Sequence, residues 1–502
     1  MMTVDSSPRA DQGGVPTAPL PEAAQSQRKS WVTFWITMTL LVGSTVGLFL
    51  PLVPEALGGL ACVMMLCLIF LRVPVAMAML IPALFGMYAL RGLPLVQSTM
   101  TTMPYDRVAN WSLSVVPMFI LMGLLLWRAG LTESIYTAGR NWVGWMPGGL
   151  AVGTNLAGAG LASVSGSTIG TTFALARIGI PEMLKAGYDK RLAVGSVIAA
   201  GLPGQLIPPS LLLVIYAGIA EVPVGPQLLA GVGPGILVAA LFSIMIIIFA
   251  TRWARTDQLS AEAKAAVTWP QRFDSLVRIW PVPVLIGVII FGMFSGVFTA
   301  TEAGAVAALL SLVVTVVWRF RGQPLRAVAD AAVGTVSSVG AIFFMLIGVE
   351  VLARMFTLTG LSDGFAEVVQ GMNLNRVTFL MLMMVVYIIL GTFMEPLPMM
   401  MLTIPILIPT LHALDISLLW YGVFAVFMAE LSIITPPVGI LSFIIHSITK
   451  DPEVNQGQRI TLNDVFIAAM WFMPMAVIVT MVLIFFPEIS TWLPEFAASG
   501  NR

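Results

Sequence analysis

Apolar residues along this chain gather in long runs, and polar residues gather between them. Clear runs are Leu57–Phe70, Val73–Leu90, Val115–Leu126, Leu192–Ile219, Leu228–Ala250, Val282–Phe298, Ala303–Val317, Val333–Leu352, Val377–Leu390, Leu418–Ile445 and Val465–Phe486. Trp31–Leu50 precedes them behind the basic pair Arg28 and Lys29. Each is near the length of about 20 residues that carries a helix across a bilayer. The pattern predicts an all-α polytopic membrane protein. Two further stretches, Leu161–Pro181 and Gly391–Thr410, are apolar but interrupted by small or proline residues, as in a re-entrant hairpin. Non-helical backbone at that depth survives only inside protein or beside a wet cavity.

Two runs contain adjacent prolines, in "GQLIPPSLLL" and "SIITPPVGIL". Proline lacks an N–H and collides with the carbonyl four residues back. Pro208 and Pro209 therefore free the carbonyls of Gly204 and Gln205, and Pro436 and Pro437 free those of Ser432 and Ile433. From Pro181 to Pro208 is 27 positions, and from Pro409 to Pro436 is also 27, so the segments repeat at an offset of 228. The loop after the first hairpin carries Lys185, Lys190 and Arg191; the loop after the second carries Asp415 and no Lys or Arg. The positive-inside rule places the first loop in the cytoplasm and the second outside, so the two copies are expected to be inverted. The same rule puts the N-terminus in the cytoplasm.

The expected organisation is a disordered tail at 1–30, an extra transmembrane helix at 31–54 and a first repeat at 55–250, with its hairpin at 158–181 and broken helix at 192–219. A cytoplasmic connector spans 251–280, and its "LSAEAKAAV" core reads equally as a helix along the membrane surface or as a solvated linker. The second repeat follows at 281–488, with its hairpin at 391–410 and broken helix at 418–446, and a C-terminal tail at 489–502.

Composition agrees. The chain of 502 residues is 58% hydrophobic and 10% charged, with a mean hydropathy of +0.94. Soluble domains are about 45–50% apolar and about 25% charged. Twenty-five basic and 25 acidic residues cancel, so nothing draws the chain to nucleic acid. Cys62 and Cys67 lie on different sides of one helix and read as buried thiols. No Gly-rich loop ends in Lys-Ser or Lys-Thr, which excludes an ATP motor, and no nucleophile elbow or zincin motif indicates an enzyme.

Freed carbonyls beside hydroxyls form a set of hard oxygen donors that suits a dehydrated Na⁺. The first hairpin supplies Ser163, Ser165, Ser167 and Thr168, and the second supplies Thr392. Half-helix N-termini favour an anionic ligand. Glu395 and Glu430 are acids in apolar surroundings. Glu430 reads as structural, whereas Glu395 is open to a proton-carrying role. Glu302 is ambiguous, and Glu350 has Arg354 one turn later as its expected partner.

The motifs "SVSGST", "IPEMLKAGYDK", "GQLIPPS", "LLAGVGPGIL", "GTFMEP", "TIPILIP" and "ITPPVG" together resemble the large membrane subunit of a tripartite ATP-independent periplasmic (TRAP) transporter, DctM type, over about Ala56 to Pro487. The resemblance implies an inverted-repeat, elevator-type secondary transporter in the bacterial inner membrane, driven by Na⁺ and carrying a small organic anion. It implies two partners: a separate small DctQ-type membrane subunit and a periplasmic solute-binding protein. Its sodium sites map onto Ser163 and Ser165 with Gly204, Leu206 and Pro209, and onto Gly391 and Thr392 with Ser432, Ile434 and Pro437. Substrate contacts are expected from Ser165, Gly166, Ser167, Thr392 and Glu395. The chain departs from the family pattern at Glu395, where Asp is usual, at Ser432, where Gly is usual, and at Met428, where Asn is frequent. The alternative reading is a proton-coupled organic-anion carrier or exchanger using Glu395.

Overall fold

The computed structural model describes residues 21–252, 267–320, 322–392, 394–436 and 439–500. Regular structure among them is helical throughout. Among the described residues six helices are long and apolar enough to cross a membrane: Trp111–Ala129, Val224–Arg252, Ala300–Trp318, Pro324–Thr359, Pro396–Ala413 and Leu462–Phe485. A seventh arises if Trp269–Ile279 and Pro281–Phe294, bent by 52°, count as one span. Shorter apolar helices such as Pro54–Phe70 and Val75–Arg91 fill in between them. Pro324–Thr359 has 36 residues. At about 1.5 Å per residue it exceeds the roughly 30 Å of a bilayer core, so it must tilt or project.

Several boundaries differ from the expected ones. The first helix starts at Pro21, inside the segment assigned to the tail, because Pro at a first helical position is pre-set for it and the residues after it are helix formers. The "LSAEAKAAV" stretch lies, apart from Val267, outside the described residues. The expected C-terminal tail is the helix Glu488–Gly500, which packs on Val224–Arg252. It buries Ser490 and Ala497 and stacks Phe496 on Phe294 with ring centroids 5.7 Å apart. Glu350 pairs with Arg107 rather than Arg354. It faces the helix Leu93–Val108, whose Arg107 also donates to the Gly218 carbonyl at 3.0 Å. Glu302 closes a capping box with Thr299. Cys62 and Cys67 are free thiols.

One repeated feature escaped the sequence reading. Val115–Ala129 turns into the short helix Leu131–Val143 through Gly130 at φ 89°, and Pro324–Thr359 turns into Leu361–Gly371 through Gly360 at φ 70°. That left-handed backbone costs glycine nothing. Gly-Leu-Thr-Glu follows in one copy and Gly-Leu-Ser-Asp in the other. The acid lies in the first turn of each short helix, where the positive helix end favours it. Each elbow helix then carries a hairpin arm, Gly149–Ser165 on the first and Pro396–Ala413 on the second.

Lys190 and Arg191 open the helix Lys190–Ala199 and bind Asp464 of Leu462–Phe485 at 2.7 and 3.2 Å. Asp464 also closes its own capping box with Thr461. Asp464→Asn is expected to lower stability by about 1–3 kcal/mol, since a largely buried acceptor of charge-assisted bonds is lost. Thermal unfolding in detergent checks this, and an unchanged midpoint would mean the cluster is only a solvated pair.

Candidate functional site

The first hairpin consists of Gly149–Ser165 and Thr168–Lys185. Its first arm thus begins earlier than the expected 158, because the small residues from Gly149 onward let it pack closely on the elbow helix. Gly139 and Gly153 abut there, each leaving the other's backbone no room for a Cβ. The turn is Gly166, left-handed at φ 65°, and Ser167, whose hydroxyl accepts from the Gly170 N–H at 3.1 Å. Ser165 Oγ lies 3.1 Å from Thr171 Oγ1.

The second hairpin consists of Arg376–Gly391 and Pro396–Ala413. Its turn stands at the start of the expected 391–410 segment rather than in the middle. Pro405 and Pro409 are absorbed within one continuous helix, so the two arms part after Gly391 and before Pro396. Thr392 Oγ1 is already engaged, donating to the Ile389 carbonyl at 2.7 Å. Glu395 is exposed and caps nothing, while Pro396 opens the second arm.

Both Pro-Pro segments interrupt their helices. The first runs Lys190–Ala199, a short 3₁₀ turn at Pro203–Gln205, then Leu211–Ile219, with a cis peptide at Pro208–Pro209. The second runs Leu418–Ser432, then Ile440–Ile448. Pro437 lies outside the described residues. Not every freed carbonyl stays free. The Ser210 hydroxyl donates to the Gln205 carbonyl. The Thr435 N–H donates to the Ser432 carbonyl at 3.1 Å, and the Leu441 N–H donates to the Ile433 carbonyl at 3.3 Å. The expectation that Gln205, Ser432 and Ile433 expose bare carbonyls is therefore corrected, since buried backbone acceptors recruit whatever donor is in reach.

Four of the expected site residues meet at two junctions. Gly204 lies against the first hairpin: a Cβ there would meet the Ala159 carbonyl at 2.5 Å and the Ser163 nitrogen at 2.8 Å. In the second copy a Cβ on Gly391 would fall 1.8 Å from the Ser432 Cβ. The 228 offset relates Ser163 to Gly391 and Gly204 to Ser432. Each junction of hairpin and broken helix thus has one glycine and one serine, with the glycine on the broken helix in one copy and on the hairpin in the other. Glycine where Ser432 stands would leave both partners bare; here Gly391 makes room for the serine.

The junctions are joined through a buried acid. Glu430 is 3% exposed and accepts from Thr168 Oγ1 of the first hairpin at 2.6 Å. The Gln205 side-chain oxygen, turned as its hydrogen bonds require, accepts from Thr168 N at 3.1 Å and Ser167 N at 3.2 Å. The first break therefore caps the first hairpin's second arm, and Thr168 passes the connection to the second broken helix. Gly201 abuts Thr168 from behind. Elsewhere Tyr216 donates to the Leu418 carbonyl at 2.6 Å, and Gln227 to that of Leu419 at 3.1 Å. Sequence reasoning missed Gln205 and the Thr168–Glu430 bond. It also missed the hydroxyls of Thr172 and Ser442, which are buried with no hydrogen-bond partner on two helices that pack together. The only hint was that Thr172 continues the "STIGTT" tip.

Ser165 and Gly166 meet Pro209 and Leu211 around a cavity of about 10 Å³, closed on its other side by Phe119 and Met122 of the helix Val115–Ala129. That is about one water. An organic anion does not fit there in this arrangement. Thr392 and Glu395 do not line this cavity, so the structure does not gather the five expected substrate contacts around one space. Leu206 instead packs its carbonyl on Gly231. The Ile434 N–H donates to the Leu431 carbonyl at 3.3 Å.

The model of the DctM component of tripartite ATP-independent periplasmic transporters matches residues 61–489. The chain belongs to the DctM family. This permease is 28% identical over 393 residues to the C4-dicarboxylate TRAP transporter large permease DctM of Pseudomonas aeruginosa, covering 78% of the chain and 88% of the relative. It is 28% identical over 441 residues to the ectoine/5-hydroxyectoine large permease UehC of Ruegeria pomeroyi, covering 87% and 98%. The sialic acid large permease SiaM of Vibrio cholerae is 29% identical over 392 residues, covering 77% and 87%. In structure the permease resembles the Alcanivorax borkumensis YdaH transporter, with a TM-score of 0.57 at 15% identity, covering 82% of this chain and 90% of that one. That likeness concerns the fold. The permease is the large multi-pass membrane subunit of a TRAP transporter and not an enzyme. The family implies partners of two kinds, a small membrane subunit and a periplasmic binding protein.

Proposed function

We propose that this permease takes up a small organic anion across the bacterial inner membrane, coupled to Na⁺, by an elevator motion of two inverted repeats, with its N-terminus in the cytoplasm. The observation that carries this reading is the joined pair of junctions, Ser163–Gly204 and Gly391–Ser432, linked through Thr168 and Glu430. Two hairpins and two broken helices bound so closely move as one body more readily than they move apart. The cavity of about 10 Å³ at Ser165 and Gly166 favours the same motion, because the tip must leave Phe119 and Met122 before a solute reaches it.

Sodium is the coupling ion that the donor set favours. Among the described residues no three His, Cys, Asp or Glu side chains gather to hold a multivalent metal. The expected ligands are carbonyl and hydroxyl oxygens of Ser163, Ser165, Gly204, Leu206 and Pro209, and of Gly391, Thr392, Ser432, Ile434 and Pro437. Hard neutral oxygens match a monovalent cation. The relatives named for C4-dicarboxylate and sialic acid support a carboxylate as substrate. The delivering partner is a periplasmic solute-binding protein, and the small DctQ-type subunit is a separate chain.

In proteoliposomes holding both membrane subunits and supplied with the loaded binding protein, replacing external Na⁺ with choline is expected to reduce uptake at least about tenfold, corresponding to about 1.4 kcal/mol. Unchanged uptake would remove sodium coupling and turn attention to proton coupling. Glu395 would be the first candidate to test, since it is the acid exposed at the second tip.

A further inference from the structure

The helix Trp269–Ile279 has two unlike faces. Trp269, Phe273, Leu276, Val277 and Trp280 fall at helical spacing on one side and are 62%, 57%, 39%, 66% and 46% exposed. Bulky apolar side chains left uncovered at a helix surface, with tryptophan at both ends, suit the interface of a bilayer. The other side is polar and closes over a cavity of about 840 Å³, whose far wall is the elbow helix Leu131–Val143 and the end of Thr168–Lys185. The Trp142 indole N–H donates to the Arg272 carbonyl at 3.1 Å, and the Trp142 ring meets Phe273 edge-on, so the roof is fastened.

The charges in this cavity are unevenly matched. Arg140 pairs with Glu182 at 3.1 Å and Arg278 with Asp274 at 2.9 Å. Lys185 and Arg272 line the same space with no acidic partner within salt-bridge distance among the described residues, and Glu133 is the remaining acid. Arg272 Nε is buried without a hydrogen-bond partner. Its guanidinium lies over the Trp269 ring, 5.0 Å from the centroid. An orphaned guanidinium donor lining a roomy polar cavity, on a helix whose other face suits the bilayer interface, is complementary to the anionic head of a lipid.

We propose that this cavity is a headgroup site for an anionic phospholipid, with Lys185 and Arg272 on the phosphate, while the Trp269–Phe273–Val277 stripe on the opposite face seats the helix in the bilayer interface where such lipids lie. Lys185, Arg272 and Glu133 together leave one positive charge, so a phosphodiester with a single negative charge fits better than a polyanionic head. Bidentate and charge-assisted bonds from arginine are the strong ones for phosphate. The site is independent of the coupling ion, and its test reads lipid rather than transport.

The experiment is native mass spectrometry of the full-length permease in detergent, titrated with phosphatidylglycerol, with phosphatidylcholine, or with inorganic phosphate. Phosphatidylglycerol is expected to be retained at least about tenfold more tightly than phosphatidylcholine. Lys185→Gln with Arg272→Gln should abolish that preference. Lys185→Glu alone, at an exposed position in the last turn of its helix, should reduce it while leaving thermal stability unchanged. Equal retention of the two lipids, or a preference that survives the double substitution, would overturn the proposal. So would displacement of phosphatidylglycerol by inorganic phosphate at equal concentration, since a free anion would then be the ligand.

Discussion

Gly391→Ala is expected to leave the permease unable to reach a stable, monodisperse state, and adding Ser432→Gly is expected to restore it. The new methyl would stand 1.8 Å from the Ser432 Cβ and 1.9 Å from its Oγ. Real carbons do not approach so closely, so the hairpin or the broken helix must shift. Ser432 is fully buried at the last turn of Leu418–Ser432, with its hydroxyl donating to the Ala429 carbonyl at 2.6 Å, so it has little freedom to turn away. Overpacking in a dense core costs about 1–3 kcal/mol, and a clash against backbone-bound atoms lies at or beyond the upper end. Removing the serine side chain leaves the Ser432 Cα at 3.0 Å from the added carbon, tight but adjustable. The double variant also reproduces, with its residues exchanged, the arrangement of Ser163 and Gly204. Size-exclusion profiles and thermal midpoints of the two single variants and the double read the outcome. A Gly391→Ala protein as stable as the parent would show that the junction is loose.

The second large effect is expected at Glu430. Glu430→Ala should destabilise the permease by about 2–4 kcal/mol, because a buried volume is emptied and Thr168 loses its acceptor. Thr168→Val should cost about 1–3 kcal/mol. The two should be far from additive, since they remove the same bond. Glu430→Gln keeps an acceptor of the same shape and is expected to retain most of the stability. Uptake by Glu430→Gln then separates holding from charge: preserved uptake means the acid only ties the repeats together, and lost uptake with normal stability means its charge takes part in transport. Additive losses in the double-mutant cycle would show that Thr168 and Glu430 do not act as a pair.

How far the sequence could be read depended on the distance over which each feature acts. A proline at position 208 or 436 acts on a carbonyl four residues back, and both helices break there. Pro405 and Pro409 read as interruptions in the middle of the 391–410 segment, yet both lie inside one continuous helix. Inside a packed bundle neighbouring groups compensate such prolines, and the two arms part after Gly391 and before Pro396. The two elbows are legible in Gly-Leu-Thr-Glu at 130–133 and Gly-Leu-Ser-Asp at 360–363, since a glycine before an acid in the first turn is a local signal.

Pairings were another matter. Arg354 was the natural partner for Glu350 by helical spacing, yet Arg107 takes it, from a helix far away in the chain. Glu395 reads as an intramembrane acid yet is exposed, while the acid sealed in the interior is Glu430, which meets Thr168 of the first hairpin. The sequence alone determined that this chain is a helical membrane protein interrupted at two Pro-Pro pairs 228 positions apart, because hydrophobic length and proline chemistry act within a few residues. Only the tertiary structure decided which carbonyls keep their freedom, which serine faces which glycine, and which acid is buried. Those depend on partners that neither hydrophobic length nor proline position encodes: the Gln205 and Ser432 carbonyls take donors a few residues away, Gly391 and Ser432 are 41 positions apart, and Thr168 and Glu430 are 262 apart.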